Sequence, residues 1–185
     1  ISAARKNYGP QSTILAESLR VFGDILIDQA RYNEAERVLK EALAILRAAP
    51  RNGITASKTG YTLNGLAIVR LAGGKAEEAL TYCDQALAIM TAYPGISPYF
   101  TLSVEITQGA ALNALGRFKQ ANSVLGPVFS DEKQSAHIKG TDAVLFAYGL
   151  KELGKTQLGI GDGVGAVKSW QKALSISPGK TASSK

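Results

Sequence analysis

The chain has 185 residues, 45% of them apolar and 19% charged, with a net charge of +6, a globular composition with room for one domain or two small ones. A single cysteine, Cys83, excludes an internal disulfide and a multi-cysteine metal site, and a single histidine, His137, excludes any motif that needs two. The 21 basic and 15 acidic residues are spread along the chain, without the basic stripe and interleaved aromatics of a nucleic-acid binder, and no apolar run reaches the ~18 residues of a membrane span.

In chain order, Leu15, Leu19, Phe22 and Leu26 form a stripe at helical spacing and predict a helix over 12–28. Ala35, Val38, Leu39, Ala42, Leu43 and Leu46 predict a second over 31–47. Leu63, Leu66 and Val69 predict a third over 55–72, and Ala76, Ala79, Leu80, Cys83, Ala86, Leu87 and Met90 a fourth over 75–91. Four more are expected over 98–115, 117–129, 141–159 and 163–176. Thr55, Ser97 and Thr141 are the expected N-caps, with Pro98 in a first helical position. Gly126-Pro127 should leave the helix over 117–129 short or kinked, and the polar linker over 130–140 should be the longest or most mobile connection. No sustained period-2 alternation occurs, so no sheet is expected.

The helices pair into repeats. Ala35, Ala79, Ala121 and Ala166 recur at intervals of 44, 42 and 45 residues. Five residues before each stands Ala30, Gly74, Gly116 or Gly161, suited to a left-handed C-cap between the two helices of a pair. Twelve before each stands Gly23, Ala67, Gly109 or Gly154. Prolines 10, 50, 94 and 98 fall between repeats, and Pro178 follows the last helix.

This pattern resembles the tetratricopeptide repeat. The first repeat carries Leu19, Phe22-Gly23, Ala30-x-Tyr32, Ala35, Leu39 and Ala42-Leu43; the fourth carries Leu150, Leu153-Gly154, Gly161, Ala166, Trp170, Ala173-Leu174 and Pro178. The third departs most, with Glu105 and Gln108 where apolar residues are expected. The long interval is similar to the kinesin-light-chain-like variety, which the stretch from Tyr8 to Ile45 fits closely. The resemblance implies an all-α, right-handed α-solenoid of about four helix–turn–helix repeats in a single domain over 1–178, with repeats at about 12–50, 55–94, 98–130 and 141–178. Residues 1–8 would be the tail of a preceding helix, and 179–185 a flexible tail. The chain is then expected to belong to a longer array or a multidomain protein. No signal-peptide pattern is visible, which suits the cytoplasm and leaves the periplasm open.

Little else carries chemistry. Cys83 and Trp170 fall on apolar stripes and read as packing residues; His137 sits in a polar linker. Gly161 to Ala166 imitate a dinucleotide-binding Gly-x-Gly-x-x-Ala, but a helix precedes them where that motif requires a strand. Pro178 to Thr181 lack the earlier glycine of a phosphate loop. Glu34, Glu36, Glu77 and Glu78 fall in first turns, where acidic residues suit the helix dipole. No catalytic residue, cofactor or metal is indicated.

The resemblance implies instead a groove for a peptide or helix of a partner protein, lined by the first helix of each repeat. Its positions are Glu17, Arg20, Asp24 and Asp28 in the first repeat and Tyr61, Asn64 and Ile68 in the second. The third gives Ser103, Ile106 and Asn113, and the fourth Tyr148, Lys151 and Lys155. The acidic residues would take the basic end of a bound segment and the two lysines its acidic end. The alternative is a regulatory or substrate-positioning part of a larger enzyme. Self-association through exposed end faces is a third option.

Overall fold

The computed structural model describes residues 1–93, 98–130 and 141–176. They form α1 (Ser2–Tyr8), α2 (Thr13–Asp28), α3 (Tyr32–Ala48), α4 (Gly53–Ala72), α5 (Ala76–Ala92), α6 (Pro98–Ala114), α7 (Phe118–Ser130), α8 (Thr141–Gly159) and α9 (Gly163–Ile176), with no strand among the described residues. The linker expected over 130–140 and the tail over 179–185 lie outside these residues, apart from Ser130, which ends α7. His137 lies outside them too.

The chain divides into two compact units, Ile1–Thr107 and Gln108–Lys185. In the first, α2 packs on α3 and α4 on α5, and the pairs meet through α3 and α4 and through α2 and α4. Leu15, Leu19, Leu26, Leu39, Leu63, Leu66 and Phe100 form its core, each at most 1% exposed. Burying such side chains stabilises the fold by ~1.5–3 kcal/mol each. In the second unit α8 packs on α9 and α7 on α8. Phe129 meets Phe146 edge to face at 4.8 Å. Phe22, expected on the α2 stripe, is exposed instead.

The turns inside the helix pairs share one geometry. Ala30, Gly74, Gly116 and Gly161 all have positive φ, between 56° and 89°. Each donates its N–H to the carbonyl three residues back, and the next residue donates to the carbonyl five back: Ala30 to Ile27 and Arg31 to Leu26, Gly74 to Leu71 and Lys75 to Arg70, and so through the other two. These are the paired bonds of the Schellman motif, which satisfy carbonyls the helix end would leave open. Ala30 is the sole non-glycine with positive φ among the described residues. Ala30→Gly should relieve its left-handed strain and stabilise the protein by about 0.5–1 kcal/mol after the entropy of the freer unfolded chain is subtracted. A thermal melt with an unchanged or lower midpoint would contradict this.

Two helix starts differ from expectation. The N-cap of α4 is Asn52, whose Oδ1 accepts from the N–H of Ile54 and Thr55 while the Thr55 hydroxyl accepts from the Asn52 N–H. Thr55 is therefore the third helical residue of a capping box rather than the cap. Likewise α8 already includes Thr141. The helix α7 runs three residues beyond Pro127 and is short, with 13 residues against 17 in α3 and α5.

Candidate functional site

On α2, three- and four-residue spacing puts Glu17, Arg20 and Asp24 on one side of the helix. Arg20 donates to Glu17 Oε1 at 3.2 and 2.6 Å and to Asp24 Oδ2 at 2.6 Å. Its guanidinium lies over the Tyr61 ring, 5.4 Å from the centroid, and that ring packs on Phe100 at 4.0 Å. The cation is thus held by two carboxylates and an aromatic face. Lys58 Nζ stands 3.8 Å from the second oxygen of Glu17. Burial would lower the Arg20 pKa, but the Glu17 hydrogen bond and the Asp24 charge outweigh it and leave the pKa raised. Asp24 goes the other way. Desolvation outweighs Arg20, with Asp28 repelling as well, so its carboxyl sits above the ordinary range. Asp28 is exposed at the end of α2, and Ile68 is half-buried on α4.

Asn64, Ser103, Ile106 and Asn113 do not present themselves as expected. Ile106 is fully buried and belongs to the core. Asn64 is 5% exposed, and its amide donates to Ser103 Oγ at 2.9 Å, so it joins α4 to α6. Asn113 is bound inside the second unit. Its amide donates to the carbonyl of Glu152 at 2.9 Å and to its carboxylate at 3.3 Å, and its Oδ1 accepts from Thr156 at 2.8 Å. The Asn113 amide, bonded through both its nitrogen and its oxygen, is not offered to a peptide backbone, and Asn64 is sealed in by burial, its Oδ1 without a partner.

Tyr148, Lys151 and Lys155 do reach the surface of α8. Lys151 Nζ is 5.7 Å from the Tyr148 ring centroid. Partial burial, aided by the Glu152 charge, pushes the Tyr148 hydroxyl up to about 12. Lys155 donates to Glu152 at 2.8 Å.

Three charged residues were missing from the sequence expectation. Lys58 lacks a local signal because its partner is on another helix. Glu152, 2% exposed, has a local partner in Lys155, three residues on in α8, but its burial comes with Asn113 of α6, which no local pattern announces. Arg70 joins Glu36 of α3 and Glu78 of α5, the latter at 3.2 Å, while Glu36 also holds Lys40 at 2.5 Å. Glu78, in the first turn of α5, therefore clamps a neighbouring helix as well as suiting the dipole, whereas Glu36, expected in a first turn, lies past that of α3.

Catalytic chemistry has little to build on. Cys83 is buried, and desolvation, with Asp84 adding repulsion, pushes its thiol up to about 12, so no thiolate is offered near neutral pH. The glycine-rich Gly159 to Ala166 stretch is the turn from α8 to α9, in which Asp162 accepts from the Gly165 N–H at 2.8 Å. No group of three or more metal-binding side chains is assembled among the described residues.

Two family models, both described as tetratricopeptide repeat, match residues 15–49 and 58–125. The chain belongs to the tetratricopeptide repeat family. No curated protein matches it. Tetratricopeptide repeats are typically non-catalytic modules, and membership supports a scaffold role in protein–protein interaction. No described helix is long and apolar enough to cross a membrane. The first match covers α2 and α3 and the second runs from α4 into α7, so both carry residues of the candidate surface.

Proposed function

We propose that the α2–α4 face of the first unit binds an extended segment of a partner protein and selects a basic side chain from it. The observation that carries this reading is the Glu17–Arg20–Asp24 cluster packed on Tyr61. Arg20 is shared between two carboxylates, burial holds the Asp24 carboxyl above its ordinary range despite Arg20, and Asp28 stands exposed one turn further along α2. A partner lysine or arginine placed there would supply a positive charge. Tyr61 offers apolar contact area with few torsions to freeze. The second unit, with Lys151 and Lys155 beside Tyr148, favours acidic side chains in the same way. The chain performs no chemistry on its partner in this reading.

Selection from a displayed random peptide library would test it. Peptides retained by the wild-type chain should be enriched in lysine or arginine at one position. Asp24→Asn with Asp28→Asn should abolish that enrichment while the thermal melt stays near wild type. Enrichment that survives the double substitution would place recognition elsewhere.

A further inference from the structure

The first helix of each later repeat rests on the repeat before it, and its contact positions can be matched because no insertion falls between the Gly23/Ala67/Gly109/Gly154 and Ala35/Ala79/Ala121/Ala166 registers. Val21 corresponds to Gly65, Thr107 and Glu152, and Ile25 to Val69, Ala111 and Thr156. All six counterparts are buried. Val21 and Ile25 are instead exposed, with Ile14 and Phe22 beside them on α2. The short α1 packs on α2 but has no buried residue of its own. The α2 face is thus an apolar stacking surface without the cover its counterparts have. Repeat arrays need a polar outer face where stacking stops.

The matching covers are also exposed. Tyr61 receives Phe100, at 4.0 Å between rings, and Asn113 receives Glu152 and Thr156 at 3.3 and 2.8 Å. In the fourth repeat Tyr61 corresponds to Tyr148 and Asn113 to Leu158, both exposed, Leu158 by 57%. In the first repeat Phe100 corresponds to Ile14, and Glu152 and Thr156 to Val21 and Ile25. Transposed onto these two faces, the ring pair becomes Tyr148 against Ile14. The polar cluster becomes Leu158 against Val21 and Ile25. Polar partners have been replaced on both sides at once by apolar ones, so the two faces fit each other as an internal junction fits.

We propose that the chain self-associates head to tail, with the α2 face of one copy seated on the Tyr148–Leu158 face of α8 in a second copy. A contact between two different faces leaves one of each open, so association continues past the dimer unless the rotation closes a ring. Burial of exposed apolar side chains drives it.

Sedimentation over a wide concentration range reads the outcome. The weight-average mass of the wild-type chain should rise beyond that of a dimer. Val21→Lys blocks one face and Leu158→Glu the other; each variant alone should remain monomeric. Mixed in equal amounts, they should form a heterodimer and stop, because each retains the face the other lacks. Both positions are exposed, so the helical signal should be unchanged; Ile25→Ser offers a milder block of the α2 face should Val21→Lys unfold. A wild-type chain that stays monomeric throughout overturns the proposal. So does a Leu158→Glu variant that still dimerises, which would mean that α2 pairs with itself, or a mixture that stays monomeric.

Discussion

Gly154→Ala should destabilise the protein by ~1–3 kcal/mol, the usual penalty for overpacking a core. In an open helix interior the same exchange stabilises by roughly 1 kcal/mol, because glycine has more backbone freedom to lose. The sign reverses here because a Cβ on Gly154 would stand 2.1 Å from Trp170 Nε1 and 2.5 Å from Cδ1. The indole cannot swing aside freely, since its Nε1 donates to the Lys151 carbonyl at 3.2 Å. Gly23 and Gly109 make the same approach to Leu39 and Leu125, at 2.6 and 2.5 Å. Leucine tips yield more readily than an indole, so Gly23→Ala and Gly109→Ala should cost less than Gly154→Ala. Gly163→Ala, with nothing within 4 Å of its Cβ, is the control and should be close to neutral. Urea denaturation of the four variants gives the order. A Gly154→Ala protein as stable as wild type would mean that α8 and α9 pack less tightly than these distances require.

The second large effect concerns the repeat that breaks this pattern. Gly23 with Leu39, Gly109 with Leu125 and Gly154 with Trp170 pair a glycine with a large residue sixteen positions later. The second repeat has Ala67 and Cys83 at those positions, both fully buried. The methyl gained on α4 is offset by volume given up on α5. Cys83→Leu alone should therefore overpack the pair and cost ~1–3 kcal/mol. Ala67→Gly alone should cost about 1 kcal/mol through helix propensity, and more through the space it leaves. Combined, they recreate the glycine–leucine pair of the other repeats, and the double variant should be more stable than Cys83→Leu alone. A double-mutant cycle measures the coupling, and purely additive losses would show that residues 67 and 83 do not share one space.

Much of this was legible because small residues carry geometry. Ala30, Gly74, Gly116 and Gly161 announce a left-handed turn through the one property a sequence displays openly, the lack or near lack of a side chain. All four turns have that conformation. The apolar stripe of α3 was equally readable, since helical period and burial coincide there, while in α5 Ala76, Ala79, Cys83 and Ala86 are buried and Leu80, Leu87 and Met90 only half-buried. The candidate surface was less so. Arg20, Asn64, Ile106 and Lys151 share one register, yet Arg20 is half-buried, Asn64 and Ile106 are buried and Lys151 is exposed. Register fixes the side of a helix on which a residue stands; what covers that side depends on neighbours the local sequence does not contain. The isoleucine itself was the available signal, because an apolar residue in a polar register is more readily sealed than presented. Arg70 takes its partners from other helices and so gave no local sign, and the i,i+3 spacing of Glu152 and Lys155 says nothing of the Asn113 contact that goes with Glu152's burial.

The turn geometry also bears on how such a chain can grow. The left-handed step of each corner between paired helices is held by the same two main-chain bonds, and an added Cβ at Gly74, Gly116 or Gly161 would touch nothing within 4 Å. A duplicated helix pair therefore arrives with its corner already correct, whatever sequence lies around it. Only the close approach sixteen residues apart and the contacts with neighbouring pairs have to be renegotiated after copying. Drift of the kind seen at Ala67 and Cys83, one side swelling as the other shrinks, is what such renegotiation leaves behind. The corners can stay fixed through many rounds of copying while the faces diverge, so inheritance in this chain is conservative at its bends and free along its flanks.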